Sequence, residues 1–135
     1  MKLLLDTHVL IWALTDDKNL PERIADMIND RDNIVYFSAA SLWELAIKNY
    51  KAPEKCPYDE AVVEEISIRS GFHCLNINSD HIKSIRTLRT KQGCELANYD
   101  PFDRMLISQA KTEGAFLLSH DKNFQYYEEP CIERF

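Results

Sequence analysis

Four acidic residues, Asp6, Glu44, Asp103 and Asp121, stand at positions from which a folded chain can turn carboxylates into one cleft. Asp6 directly follows the apolar run Leu3, Leu4 and Leu5. Asp121 follows another, Phe116, Leu117 and Leu118, after only Ser119 and His120. Either aspartate alone reads first as a helix N-cap. As a pair at the carboxyl ends of two buried strands, they occupy the place where open α/β sheets put their chemistry. Glu44 lies in ASLWELAIKNY, where only Ser41, Glu44, Lys48 and Lys51 form a polar stripe. That stripe reads equally as a solvated Glu44–Lys48 pair or as an acid turned into a polar cleft. In Asp100-Pro101-Phe102-Asp103, Asp100 suits the N-cap of a helix, Pro101 its first position and Asp103 its third. Asp100 is thereby assigned to structure, and Asp103, at the mouth of a helix, to chemistry.

Carboxylates gathered without basic partners repel one another, so such a set calls for Mg²⁺ or Mn²⁺ on oxygen ligands. The chemistry that follows is phosphodiester hydrolysis, in which the ion activates water and stabilises the leaving oxygen. Other uses of the same acids stay open. Asp6 as a covalent nucleophile would make a phosphohydrolase, although such enzymes want a second Asp two residues on, where this chain has His8. Asp6 and Asp121 as the pocket of a phospho-acceptor signalling domain would need a lysine after a later strand, and none stands out. A non-catalytic interaction module leaves all four acids without a purpose.

The elements that must position these residues alternate. Strands are predicted at residues 2–5, 34–37, 74–77 and 115–118, with an edge strand in 129–134. Helices are predicted at 7–14, 21–29, 39–50, 58–70, 79–88 and 100–112, with Pro21 in a first turn, Ser79 as an N-cap, and Gly71 and Gly114 as closing residues. The pattern predicts one α/β domain over residues 1–135, a central, mostly parallel twisted sheet with helices on both faces.

Composition narrows the chemistry further. With 45% hydrophobic and 28% charged residues, the 135-residue chain is an ordinary globular sequence. Its three glycines, Gly71, Gly93 and Gly114, lie about twenty residues apart, which excludes Walker-A and dinucleotide-type phosphate loops. Cys56, Cys74, Cys94 and Cys131 contain no C-x-x-C pair, so neither a zinc site nor a disulfide framework is indicated. The opening MKLLL is cut short by Asp6 before it can serve as a signal sequence, and no apolar run is long enough to span a bilayer. A cytoplasmic protein with reduced thiols is expected. The net charge of −6 does not exclude a nucleic acid, because residues 81–94 hold Lys83, Arg86, Arg89 and Lys91 and no acid. Arg86, Arg89 and Lys91, with Lys48 and Arg104, are the candidate RNA contacts, although a solvated face or surface pairing explains them as simply. His8 and His120 read as packing or hydrogen-bonding residues, His73 and His81 have no evident partner, and Trp12 and Trp43 read as core or interface anchors.

Four segments in order, DTHVLIWAL at 6–14, SAASLWELAIK at 38–48, DPFDRMLISQA at 100–110 and SHDKNF at 119–124, closely resemble PIN-domain proteins. The nearest group is the VapC-like ribonuclease toxins of toxin–antitoxin pairs. The resemblance runs to about Tyr127. It implies a parallel sheet of PIN type, metal-dependent RNA cleavage, frequent homodimerisation and a small protein antitoxin. Its four acidic positions fall on Asp6, Glu44, Asp103 and Asp121, and its flanking hydroxyls on Thr7 and Ser119, expected to be supporting. One departure is Asn98, where close relatives often carry histidine, and the tail YYEEPCIERF is only loosely similar.

Overall fold

The computed structural model describes residues 1–94 and 100–135. Asn98 therefore lies outside the described residues. Five strands form one sheet: β1 (Lys2–Leu5), β2 (Ile34–Ser38), β3 (His73–Leu75), β4 (Phe116–Ser119) and β5 (Ile132–Arg134). Every pairing is parallel, and the order is β3-β2-β1-β4-β5. Among the described residues six α-helices accompany it: α1 (Thr7–Thr15), α2 (Glu22–Asn29), α3 (Ala39–Lys51), α4 (Glu60–Arg69), α5 (Ser79–Ser84) and α6 (Pro101–Glu113). Among the described residues, no helix is long and apolar enough to cross a membrane.

The run of three leucines in β1 shows why the sheet is covered on both sides. Leu3 and Leu5 join a core with Val9 and Leu10 of α1, Ile24 of α2 and Phe37 of β2. Leu4 points the other way, into a core with Leu106 and Ile107 of α6 and Leu117 of β4. Alternate side chains of a strand face opposite sides, so an uninterrupted apolar strand needs helices on both. The three-residue edge strands β3 and β5 leave little open ladder for pairing with another chain.

The chain leaves β1 towards β2 and β3, then returns through α5 and α6 to β4 on the other side of β1. The order therefore reverses between β1 and β4. Leu5 pairs with Leu118 there, and the Asp6 N–H donates to the Leu118 carbonyl at 3.1 Å. The carboxyl ends of these two strands form the crevice that such a reversal creates.

Local boundaries depart from the sequence expectation at two caps. Pro21 is the N-cap of α2 in extended conformation, outside the first turn. Asn78, not Ser79, caps α5, because its side chain and that of His81 exchange hydrogen bonds with each other's backbone N–H. The helix expected over residues 79–88 ends at Ser84 and passes into a 3₁₀ turn, Ile85–Thr87. Gly114 closes α6 at φ 67°, the left-handed conformation that glycine adopts without strain. Asp16 closes α1 at φ 51° with a side chain that resists it. Asp16→Gly is expected to raise unfolding free energy by about 0.5–1 kcal/mol, read as a higher urea midpoint at unchanged slope.

Candidate active site

Asp6 is buried, 4% exposed, at the end of β1. It caps α1: its Oδ1 accepts from the Val9 N–H at 2.8 Å. Its Oδ2 accepts from the Ser119 hydroxyl. That same hydroxyl oxygen accepts the Asp121 N–H at 3.0 Å. Asp121 in turn caps the 3₁₀ helix Lys122–Tyr126, with Oδ1 accepting from the Asn123 N–H at 2.9 Å. Both aspartates are thus helix caps, and one hydroxyl also ties them together at the switch point. Burial pushes the Asp6 carboxyl above its ordinary value. The bonds from Ser119 and Val9 and the charge of His8 oppose this, and the negative charge of Asp121 reinforces it.

Glu44 divides its two oxygens. Oε2 pairs with Lys48 Nζ at 3.0 Å, the i,i+4 pair expected of a helix surface. Oε1 accepts from Thr7 Oγ1 at 2.6 Å, which ties α3 to the first residue of α1, beside Asp6. Burial would lower the Lys48 ammonium, but the hydrogen bond and charge of Glu44 outweigh it and raise it. Ser41, buried one turn before Glu44, lies with its Oγ 2.9 Å from Thr7 Oγ1. Its place on the polar stripe was visible in the sequence; its partner across two helices was not.

Asp103 occupies the first turn of α6. Asp100 caps that helix, its Oδ1 accepting from the N–H groups of Phe102 at 2.8 Å and Asp103 at 3.1 Å. The tight turn at Gly114 makes α6 antiparallel to β4, so its start lies at the carboxyl edge of the sheet. There Phe102 meets Trp43 of α3 edge to face, centroids 5.1 Å apart. These rings belong to the residues just before Asp103 and Glu44, so the two acid-bearing turns share one contact. Trp43 is 59% exposed, and neither it nor Trp12 belongs to the buried core.

The basic residues are dispersed. Arg86 lies in the 3₁₀ turn whose Thr87 carbonyl accepts from Lys111 Nζ at 3.2 Å. Lys111 is in the last turn of α6, eight residues beyond Asp103, or roughly 12 Å along the helix. Arg89 donates its N–H to Glu129 Oε2 at 3.0 Å, and Lys91 its own to the Tyr126 carbonyl at 2.9 Å, which brings the chain towards the acid end. The Arg104 guanidinium lies over the Tyr127 ring, 5.6 Å from its centroid. His81, without an evident partner in the sequence, is fully buried and bonded through Nε2 to Glu113 Oε1 at 2.8 Å.

The donor set suits a hard divalent ion in kind: four carboxylates, with Asp6 buried and raised by the lack of solvent and the nearness of Asp121. Among the described residues, however, no three His, Cys, Asp or Glu side chains already form a cluster that could hold one. Closing such a site would draw the acids further together.

An all-parallel sheet covered by helices, with Asp6 and Asp121 just past the ends of β1 and β4, defines an α/β domain. The chain belongs to the PIN-domain family, whose model matches residues 3–130. In three dimensions it is similar to VapBC2 from Rickettsia felis bound to a fragment of promoter DNA, with 18% identity, 100% of this chain and 99% of that one covered, and a TM-score of 0.68. It is also similar to DNA-bound VapBC from Salmonella typhimurium, with 25% identity, 99% and 98% covered, and a TM-score of 0.66. A third likeness is to VapC20 of Mycobacterium tuberculosis, a toxin that cleaves the sarcin–ricin loop, with 14% identity, 91% and 92% covered, and a TM-score of 0.52. No curated protein sequence matches the chain.

Proposed function

We propose that this protein is a metal-dependent endoribonuclease, the toxin of a toxin–antitoxin pair. The observation that carries the reading is the Ser119 hydroxyl, which bonds the Asp6 carboxylate and the Asp121 main-chain N–H at the switch point of a PIN-type sheet. The Asp121 charge adds to the burial that raises the Asp6 carboxyl, and a cation between the two would relieve both costs. The likeness to VapBC complexes and to an RNA-cleaving toxin supports RNA as substrate and a small protein antitoxin as partner.

In this reading Asp6, Asp103 and Asp121, with Glu44 as a fourth, hold Mg²⁺ or Mn²⁺. A divalent ion bound there polarises the phosphodiester and lowers the pKa of water. Ser119 fixes the Asp6 carboxylate through Oδ2, as Val9 does through Oδ1, so that the group cannot rotate away. Thr7 holds Glu44 Oε1 towards the start of α1, which suits Glu44 to orient the attacking water. Lys48, held 3.0 Å from Glu44, and Arg104, next to Asp103 in α6, are the candidate RNA contacts beside the acids. Arg86, Arg89 and Lys91 are the further candidate RNA contacts of this reading.

The antitoxin reading is supported by a cavity of about 530 Å³ lined by Ile11, Trp12, Leu45 and Tyr58 and rimmed by Lys48 and Lys55, which fits an apolar segment bearing acidic residues. A homodimer and a cytoplasmic setting belong to the same proposal.

The test is RNA cleavage by the purified chain with Mg²⁺ or Mn²⁺, with EDTA, and with Asp103→Asn. Discrete cuts are expected with metal, with none above background in EDTA or in the variant. Full metal-dependent cutting by Asp103→Asn would remove that residue from the site, and undiminished cutting in EDTA would remove the metal.

A further inference from the structure

Beside Asp121 the structure places a row of rings, of which His8 and Trp12 also border the larger apolar cavity above. His8 and Trp12 stand one turn apart on the same face of α1, centroids 6.4 Å apart. Trp12 lies 5.5 Å from His120, the residue between Ser119 and Asp121, and His120 lies 5.3 Å from Phe135. The His120 Nδ1–H donates to the Phe135 carbonyl, and the Phe135 N–H to the Ser119 carbonyl at 3.1 Å, so the imidazole is held from behind. His8 and His120 are exposed and Trp12 is half-buried. Between them opens a cavity of about 320 Å³ lined by His8, Trp12, His120 and Asp121.

We propose that this cavity is a base-stacking subsite, in which Trp12, flanked by His8 and His120, receives the nucleobase adjoining the scissile phosphate. The proposal rests on the ribonuclease reading and adds to it the part of the site that grips the base. A planar base needs π faces on a rigid support, and the sequence-tolerant attraction of a base for an aromatic ring is large enough to position a strand. The support is braced here: Trp12 packs against His8 and His120, and the His120 ring bonds the Phe135 carbonyl, whose own residue is tied to Ser119. The site is also continuous with the acids, because Asp121 lines the cavity and is joined through Ser119 to Asp6. Three ring systems around one cavity suit a planar base. With its Nδ1–H on the Phe135 carbonyl, the neutral His120 ring presents Nε2 as an acceptor for a base N–H, and the exposed His8 ring can bond a base edge.

Trp43→Phe leaves Trp12 as the sole tryptophan and so makes its emission the reporter. In Ca²⁺, chosen to slow cutting, this chain is titrated with single-stranded oligoadenylate, with oligouridylate and with an abasic ribose-phosphate oligomer of equal length. Quenching of Trp12 is expected with the two base-bearing strands and not with the abasic one. In the otherwise native chain, Trp12→Leu and the exposed-site variant His8→Ala are expected to weaken oligoadenylate binding about 5- to 150-fold, with unchanged circular dichroism. Equal binding of abasic and base-bearing strands, or RNA cleavage undiminished in both variants, would overturn the subsite while leaving the ribonuclease reading in place. Trp12 emission that responds to an arginine-containing peptide and not to RNA would overturn it in favour of a protein-binding cup. Failure to bind or cut any RNA would overturn both.

Discussion

Asp6→Asn is expected to lower RNA cleavage by at least about 10³-fold, roughly 4 kcal/mol of transition-state stabilisation, while raising the melting temperature of the metal-free protein at neutral pH. The two effects have one cause. The Asp6 carboxyl is buried and its pKa is raised, first by loss of solvent and further by the charge of Asp121. An acid whose pKa is higher in the folded than in the unfolded chain binds its proton more tightly when folded. Its favourable contribution is full below the unfolded value of 3.8 and is lost as pH rises through the folded value. Above that unfolded value Asp6 therefore makes folding less favourable, and asparagine removes this dependence while still able to cap α1 towards Val9. Thermal melts in EDTA should show the variant above the native chain at pH 7, with the gap closing as pH falls towards about 3.5. Added Mg²⁺ should raise the native melting temperature and leave the variant almost unmoved, because only a state that binds the ion is stabilised by it. A variant that melts lower than the native chain at every pH would show that Asp6 serves the fold before it serves chemistry.

Lys111→Met is expected to cost about 2 kcal/mol of stability, or a melting temperature lower by about 6–8 °C in a domain of this size. Glu129 has a side chain only 1% exposed, with Lys111 Nζ 3.1 Å from Oε2 and the Arg89 guanidinium 3.8 Å from Oε1. Removing the lysine leaves a buried carboxylate with the Arg89 N–H and the distant guanidinium as its remaining partners. The partial exposure of Lys111 keeps the loss below that of a fully buried pair. Glu129 joins α6, the segment entering at Arg89 and the stretch leading into β5, so the loss should spread to hydrogen exchange across β5. Glu129→Gln in the same background should recover part of the loss by removing the stranded charge. A melting temperature unchanged in Lys111→Met would show that the Arg89 N–H alone satisfies this carboxylate.

What could be read without coordinates was whatever depends on neighbours in the chain. The apolar run Leu3, Leu4 and Leu5 predicted a strand buried on both faces because its period leaves neither side polar, and Asp100-Pro101 marked the start of α6 because cap and first-turn chemistry are local. The positions of the four acids relative to these elements were legible for the same reason. The Asn78 cap is not legible beside Ser79, because it needs His81 to bond back, a reciprocity that residue type alone does not show. Tertiary structure decided everything that depends on residues distant in the chain. It chose the strand order that sets Asp6 beside Asp121, and the contact of Thr7 with Glu44 across 37 positions. It also set Thr87 and Arg89 about Lys111 and Glu129 and Lys91 against Tyr126, and turned His8, Trp12 and His120 from packing residues into the walls of a cavity. Spacing along a chain fixes which way a side chain leaves its own element. Which other element it meets is set by how the apolar faces bury one another, a property of the whole sheet and its helices.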